Sequence, residues 1–249
     1  MLESGLLLQD EIAEIGKDAV LFCHITTQIP GKAHDDLLRV MGGTGFPSFF
    51  VLDAEGHKLA VGGEWSNWPP PPSDLTTLLG TGKANLEKLA TLRAAAGKPD
   101  AATSVKAELL LLELSLGYHA YAEARAAADG LKDLDAEASE KIEATLVDLE
   151  FDSEIAKLTA GGQPAEETVL ALGKRFAAWK RVPSGSRAPD FWSVMMQYAE
   201  SQKDAAMFER GIEGMRKEFG EHPNFQRWVT TMQTKLEAIK AAGKDKSGG

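Results

Sequence analysis

The pattern of hydrophobic and polar residues changes near residue 80 of this 249-residue chain. Before that point, short apolar runs alternate with turn-forming residues. Residues 48–52 form an apolar run rich in aromatic and β-branched side chains, which is typical of a strand covered on both faces. The sequence Asp-Ala-Glu-Gly at 53–56 favours a tight turn, and residues 58–61 follow as a short return strand. The pattern therefore predicts two strands joined by a turn.

Further elements are predicted on either side of these strands. Residues 6–15 carry apolar side chains at helical spacing, and the apolar run at 19–23 indicates another strand. Residues 35–41 predict a short helix that ends at a glycine pair, and residues 75–79 predict a closing helix. After the first helix, the expected order is strand, helix, strand, strand, helix.

Beyond residue 80 the chain is rich in Ala, Leu, Glu and Lys with helical spacing throughout, and no strand-like alternation is visible. Glycine and proline residues separate the periodic segments. The predicted helices are 84–96, 102–116, 118–131, 136–160, 165–181, 191–201, 205–219 and 224–242. The predicted fold class is thus α+β, with an α/β module followed by an all-α antiparallel helical array.

The predicted boundary between these parts lies at residues 65–72, which end in four consecutive prolines, because consecutive prolines continue neither a helix nor a sheet ladder. We therefore expect one domain at 1–80 and a second at 81–249. Trp65 and Trp68 stand beside the prolines. They are candidate binding residues, although a packed elbow between domains is the favoured alternative for two such aromatic side chains.

The element order of residues 1–80, with Gly45-Phe46-Pro47 leading into a strand, resembles the C-terminal half of a thioredoxin fold. The resemblance implies that Pro47 is cis and that Phe46 and Pro47 present a backbone edge that binds extended peptides. The alternative is that a cis proline only shapes the loop. Thioredoxins perform thiol–disulfide exchange with a Cys-x-x-Cys pair, whereas this chain has Cys23 alone, so a redox-inactive module is expected.

The family's earlier strands, including a central one, are absent from this partial resemblance. The sheet would therefore have an open edge, and open edges are normally covered. We expect either a homodimer through that edge or docking of the helical domain onto it.

Two segments of the helical part resemble tetratricopeptide repeats. The residues that carry this resemblance are Leu116, Gly117, Tyr121 and Ala124 in one segment, and Ala205, Ala206, Phe208, Phe219 and Pro223 in the other. The period is irregular. Such arrays present grooves for peptides or proteins, so the resemblance implies partner binding.

The search for catalytic chemistry predicts no catalytic residue, no metal ligand and no cofactor. Cys23 and His24 are neighbours, but adjacent strand residues point to opposite faces. His24, His34, Asp35 and Asp36 lack the spacing of a known metal motif. No Gly-x-Ser-x-Gly motif is present, and His57 beside the turn is expected to be exposed.

Charge narrows the range of partners. The net charge of −10 and the pI near 5.1 argue against nucleic-acid binding, which needs clustered Lys and Arg. No run approaches the roughly 20 apolar residues that span a bilayer, and the acidic start lacks the basic region of a signal peptide. The expected location is the cytoplasm, without membrane contact.

The favoured hypothesis is a non-catalytic protein that binds a protein or peptide partner. The alternative is an enzyme: either a thiol–disulfide oxidoreductase whose Cys-x-x-Cys lies upstream of Met1, or a hydrolase with a site that no motif marks.

Overall fold

The computed structural model describes residues 10–22, 37–41, 43, 48–62, 70–159, 164–220 and 223–244. Its elements are α1 (Asp10–Asp18), α2 (Leu37–Val40), β1 (Phe50–Leu52), β2 (Lys58–Val61), α3 (Pro72–Ala96), α4 (Thr103–Ser115), α5 (Tyr121–Asp129), α6 (Ala136–Thr159), α7 (Glu166–Phe176), α8 (Arg187–Gln202), α9 (Ala205–Phe219) and α10 (Pro223–Lys244). The described part is mostly helical with one small antiparallel sheet, which fits the predicted α+β class.

The predicted pair of strands is confirmed. β1 and β2 are antiparallel, with Phe50 opposite Val61 and Val51 opposite Ala60. The turn between them forms because the Asp53 side chain accepts hydrogen bonds from backbone N–H groups within the turn, and Gly56 adopts a φ of +90° that suits glycine.

Helix α3 is longer than the sequence pattern indicates. The pattern predicts separate helices at 75–79 and 84–96, but one helix begins at Pro72 and continues to Ala96. Proline suits the first helical turn because its N–H has no partner there in any case. Gly82 does not interrupt the helix. A Cβ at this position would lie 2.5 Å from a methyl carbon of Val51, so glycine lets α3 approach the sheet.

The predicted strand at 19–23 is wrong over the residues that the structure describes. Residues 19–22 follow α1 without strand structure, and Val20 and Phe22 are 96% and 77% exposed. The sheet of the described part contains β1 and β2 only. An apolar run becomes a strand when another strand lies beside it, and this tertiary condition is not written in the run itself. Cys23 lies outside the described residues.

The contacts between elements divide the chain into two compact units. The first comprises residues 1–119 with 130–134, and the second comprises 120–129 with 135–249. Residues 80 and 81, at the predicted domain boundary, are consecutive residues of α3. The division into independently folding domains 1–80 and 81–249 stays a prediction.

Each unit has its own apolar core. In the first unit, Leu59 of β2 packs with Leu89 of α3 and with Leu116, the residue after α4. In the second unit, α8 packs against both α7 and α9. Phe176, Phe191 and Trp192 are buried together there, so the aromatic residues around 176–192 form a helical core.

Among the described helices, none is both long enough and apolar enough to cross a membrane.

Candidate functional site

The predicted binding residues Phe46, Pro47, Trp65 and Trp68 lie outside the described residues. The same holds for the weaker chemical candidates Cys23, His24, His34, Asp35 and Asp36. The predicted cis-proline edge therefore stays a prediction. The described part of the first unit contains a different candidate site, which lies between β2 and α3.

This site is an open cleft of about 420 Å³. One wall is the backbone of β2 and the residue after it, and the other wall is the N-terminal half of α3. Its lining residues are Lys58, Leu59, Ala60, Val61, Gly62, Asp74, Thr77, Leu78, Thr81, Asn85, Ser115 and Leu116. We call it the β2–α3 cleft.

The strand wall offers backbone groups that β1 does not use. The Gly62 N–H donates to the Phe49 carbonyl at 2.7 Å, which marks these two as a hydrogen-bonded pair. Because such pairs alternate along an antiparallel ladder, the N–H and carbonyl of Val61 point away from β1. Val61 is 55% exposed. An edge of this kind is a template for an added strand.

One outward carbonyl of the strand is already occupied. The Asn85 side-chain amide donates to the Leu59 carbonyl at 2.7 Å. Leu59 is buried, and this bond satisfies its carbonyl. Asn85 thus closes one end of the strand edge, and among the described residues the structure shows no hydrogen-bond partner for the outward backbone groups at the Val61 end.

The helix wall presents hydrogen-bond acceptors. The hydroxyl groups of Thr77 and Thr81 each donate to the carbonyl four residues earlier, at 2.9 and 3.0 Å. Ser115 at the end of the cleft donates to the Leu112 carbonyl at 2.8 Å. A hydroxyl has one donor hydrogen and two acceptor lone pairs. Each of these three hydroxyls uses its hydrogen in a bond to a backbone carbonyl. Its acceptor lone pairs remain for a ligand in the cleft.

Asp74 adds a negative charge to the same wall. It lies in the first turn of α3, and no described residue donates a side-chain hydrogen bond to its carboxylate. The positively charged residue that lines the cleft is Lys58, and its ammonium group donates to the Met41 carbonyl at 3.1 Å. The cleft therefore combines backbone hydrogen-bonding groups, acceptor oxygens and a carboxylate without a cation partner among the described residues.

A second polar cluster lies at the hairpin turn. One oxygen of Asp53 accepts from the backbone N–H of Glu55 at 3.1 Å and of His57 at 2.7 Å. The other accepts from the Tyr118 hydroxyl at 2.7 Å and pairs with His57 Nδ1 at 3.0 Å. The rings of His57 and Tyr118 stack with their centroids 4.2 Å apart. His57, which the sequence predicts to be exposed, is half-buried, with 40% of its side chain accessible.

These bonds shift the ionisation of both partners. Burial alone would raise the pKa of Asp53, but the hydrogen bonds from Tyr118 and His57 outweigh it, and the pKa lies below its ordinary value. Burial, reinforced by the bond to Asp53, raises the pKa of Tyr118 to about 12. The carboxylate is thus charged and the phenol neutral at physiological pH, which are the forms that bond to each other.

The turn cluster resembles a metal site in its composition but not in its bonding. One ligand atom each from Asp53, Glu55 and His57 lies within 4.8 Å of the others. A carboxylate has about four acceptor positions, and Asp53 fills them with the four bonds given above. A cation would have to displace these bonds. The cluster instead holds the hairpin to the segment after α4.

Sequence reasoning missed the cleft residues, although a signal was present. Thr77, Thr81 and Asn85 follow one another at four-residue spacing, which places them on one face of a helix. Gly80 and Gly82 interrupt the helical pattern, so the sequence predicts two separate helices there. The row of three polar residues then does not fall within one predicted helix. The role of Tyr118 is not apparent from the sequence for a different reason. The pattern places this residue in a helix at 118–131, but the helix begins at Tyr121 in the structure and Tyr118 precedes it.

Comparisons of the chain with family models, with curated proteins and with solved structures find no significant match. The functional interpretation therefore depends on the chemistry of the cleft.

Proposed function

We propose that this protein is a non-catalytic binding protein whose first unit takes up an extended segment of a protein partner. The segment adds as a strand to the outer edge of β2 and lies beside α3. The observation that carries the proposal is the outward-facing backbone of Val61 at the open end of the β2–α3 cleft.

Strand addition uses the groups that this cleft provides. Backbone hydrogen bonds to a sheet edge supply affinity, and pockets for alternate side chains supply specificity. The N–H and carbonyl of Val61 serve the first purpose, and the side chains of α3 that line the opposite wall serve the second. Because Asn85 already occupies the Leu59 carbonyl, the added segment bonds to β2 at the Val61 end.

The proposal includes a thioredoxin-like first unit and a second unit that resembles tetratricopeptide repeats. A hairpin followed by a helix supports a partial, redox-inactive thioredoxin-like module in the first unit. The successive packing of α7, α8, α9 and α10 supports a repeat-like array in the second. An array of this kind offers a further surface for the same or another partner.

The test begins with a library of random peptides displayed on phage and selected against the intact chain. Selected peptides are then synthesised, and backbone hydrogen exchange is measured with and without each peptide. We expect the Val61 amide to become protected on binding, while the Gly62 amide, which is already bonded to Phe49, changes little.

A matched pair of variants locates the binding. Val61→Pro removes the outward N–H without removing a bond to β1, whereas Val61→Thr keeps the N–H and the β-branched shape. The proline variant should weaken peptide binding about tenfold or more, which corresponds to at least one net hydrogen bond of about 1.4 kcal/mol. The threonine variant should bind as the unaltered chain does. Equal binding by the two variants, or selected peptides that leave Val61 unprotected, would refute the proposal.

A further inference from the structure

We infer that the segment bound in the β2–α3 cleft carries a lysine or arginine that pairs with Asp74. This inference rests on the proposed function and adds to it the chemistry of the partner. It predicts a basic segment of another protein and does not predict a neutral or acidic one.

The hydrogen-bonding character of the helix wall is the first reason. Thr77, Thr81 and Ser115 have committed their hydroxyl hydrogens to backbone carbonyls. The Asn85 side chain donates one N–H to the Leu59 carbonyl, so the nitrogen end of this amide faces the strand. The helix wall of the cleft therefore favours a ligand that donates hydrogen bonds. Lysine and arginine side chains are donors without acceptor groups.

Charge is the second reason. The Asp74 carboxylate lines the cleft without a partner in the described part of the chain, and the ammonium group of Lys58, which keeps its charge, is bonded to the Met41 carbonyl and not to Asp74. Asp74 is partly buried, so a cation beside it would be less screened than at an open surface. The chain also carries a net charge of −10, which disfavours a second copy as the occupant and favours a basic partner.

The geometry sets where the basic residue belongs. Asp74 and Asn85 are eleven residues apart on α3, which is about 16 Å along a helix that rises about 1.5 Å per residue. A strand rises about 3.3 Å per residue. For a segment that runs parallel to α3, the basic residue therefore lies about five residues from the peptide residue beside Asn85.

The test uses a peptide selected as above and its variants in which the basic residue is replaced by Gln or Glu. Each is titrated against the intact chain and against Asp74→Asn, Asp74→Lys and Asp100→Asn. Asp100 is an exposed residue of the loop between α3 and α4, outside the cleft, so its variant matches the loss of one negative charge.

We expect Asp74→Asn to weaken binding of the basic peptide about three- to tenfold and to leave the Gln peptide unchanged. Asp100→Asn should have no effect on either peptide. The Asp74→Lys chain should prefer the Glu peptide, which would establish a direct pairing, because a general loss of fold lowers affinity for every peptide alike. Thermal melting of each variant checks that α3 remains folded.

The two proposals fail in different ways. If Val61→Pro abolishes binding but Asp74→Asn binds the basic peptide as well as the unaltered chain does, the pairing is wrong and the strand-addition site stands. If selection yields peptides without a basic residue, the pairing is also wrong. If no peptide protects Val61, both proposals fall. Self-association of the chain that Val61→Pro abolishes would identify a second copy as the occupant and overturn the basic partner.

Discussion

Asp53 shows how one side chain at a turn organises a larger region. Three of its four hydrogen bonds lie within the hairpin turn, to Glu55 and His57. The fourth joins the turn to Tyr118, which lies sixty-five residues further along the chain than Asp53. Arg93 extends the cluster, because its guanidinium lies 4.9 Å from the Tyr118 ring centroid. The position of β2, and with it one wall of the cleft, depends on this turn.

The Asp53–Tyr118 bond predicts a pH-dependent stability. A carboxyl group whose pKa is lowered in the folded protein contributes stability that is complete above its unfolded pKa, near 3.8, and is lost as the pH falls through the folded value. Tyr118→Phe should lower the free energy of unfolding by about 1 kcal/mol at neutral pH. The difference should narrow as the pH falls below about 3.8 and through the lowered folded pKa, where Asp53 becomes protonated in the folded protein.

Urea unfolding of both proteins at several pH values measures this effect. Tyr198→Phe is the control, because its hydroxyl has no hydrogen-bond partner among the described residues. A Tyr118→Phe difference that stays constant down to pH 3 would show that the bond does not depend on the charge of Asp53.

At the scale of elements, glycine residues decide how closely helices pack. Gly82 brings α3 to Val51 of the sheet, and Gly214 of α9 faces Trp192 of α8. A Cβ at residue 214 would lie 2.1 Å from Trp192 Cε2, and Trp192 is buried, so one of the two would have to shift. In contrast, a Cβ on Gly80 of α3 would meet no atom within 4 Å.

Two alanine substitutions separate helix propensity from packing. Gly80→Ala should raise the free energy of unfolding by about 0.5–1 kcal/mol, since alanine favours the helix. Gly214→Ala has the same propensity gain but must displace Trp192, and it should destabilise the protein by about 1–3 kcal/mol. Chemical denaturation measures both. A stabilised Gly214→Ala variant would mean that α8 and α9 lie further apart than described.

At the scale of the whole molecule, the two units are not consecutive in sequence. The first unit contains α3 and α4, and the segment 130–134 returns to it after α5. α3 packs against β2 through Leu89 and Leu59, so the α3–α4 pair belongs to the core that also holds the hairpin. Pro70 and Pro71, the described prolines before this helix, lead into it, and the packing of the first unit continues beyond them.

This arrangement predicts how fragments behave. A fragment of residues 120–249 should melt cooperatively with a helical circular dichroism spectrum, because it contains the cores around Phe176 and Phe208. A fragment of residues 81–249 carries about two thirds of α3 and all of α4 without the hairpin, which exposes Leu89 and Leu116. Limited proteolysis should digest residues 81–119 of this fragment faster than in the intact chain. Equal resistance would support a folding boundary near residue 80.

The sequence by itself determined the local features of this protein. The turn at 53–56, the return strand at 58–61 and the helices from α4 to α10 follow from short-range chemistry, with ends shifted by a few residues. Asp and Gly at a turn act on their own backbone, and helical periodicity repeats every few residues. Such signals are complete within a short window of sequence.

The tertiary structure decided the rest, because each remaining outcome depends on a partner distant in sequence. The close approach of α3 to the sheet at Gly82 depends on Val51, and the role of Asn85 depends on the Leu59 carbonyl. The apolar residues 19–22 do not form a strand in the described part, since the small sheet there places no strand beside them. The cleft arises only when an edge strand and a polar helix face meet, and neither segment contains information about the other.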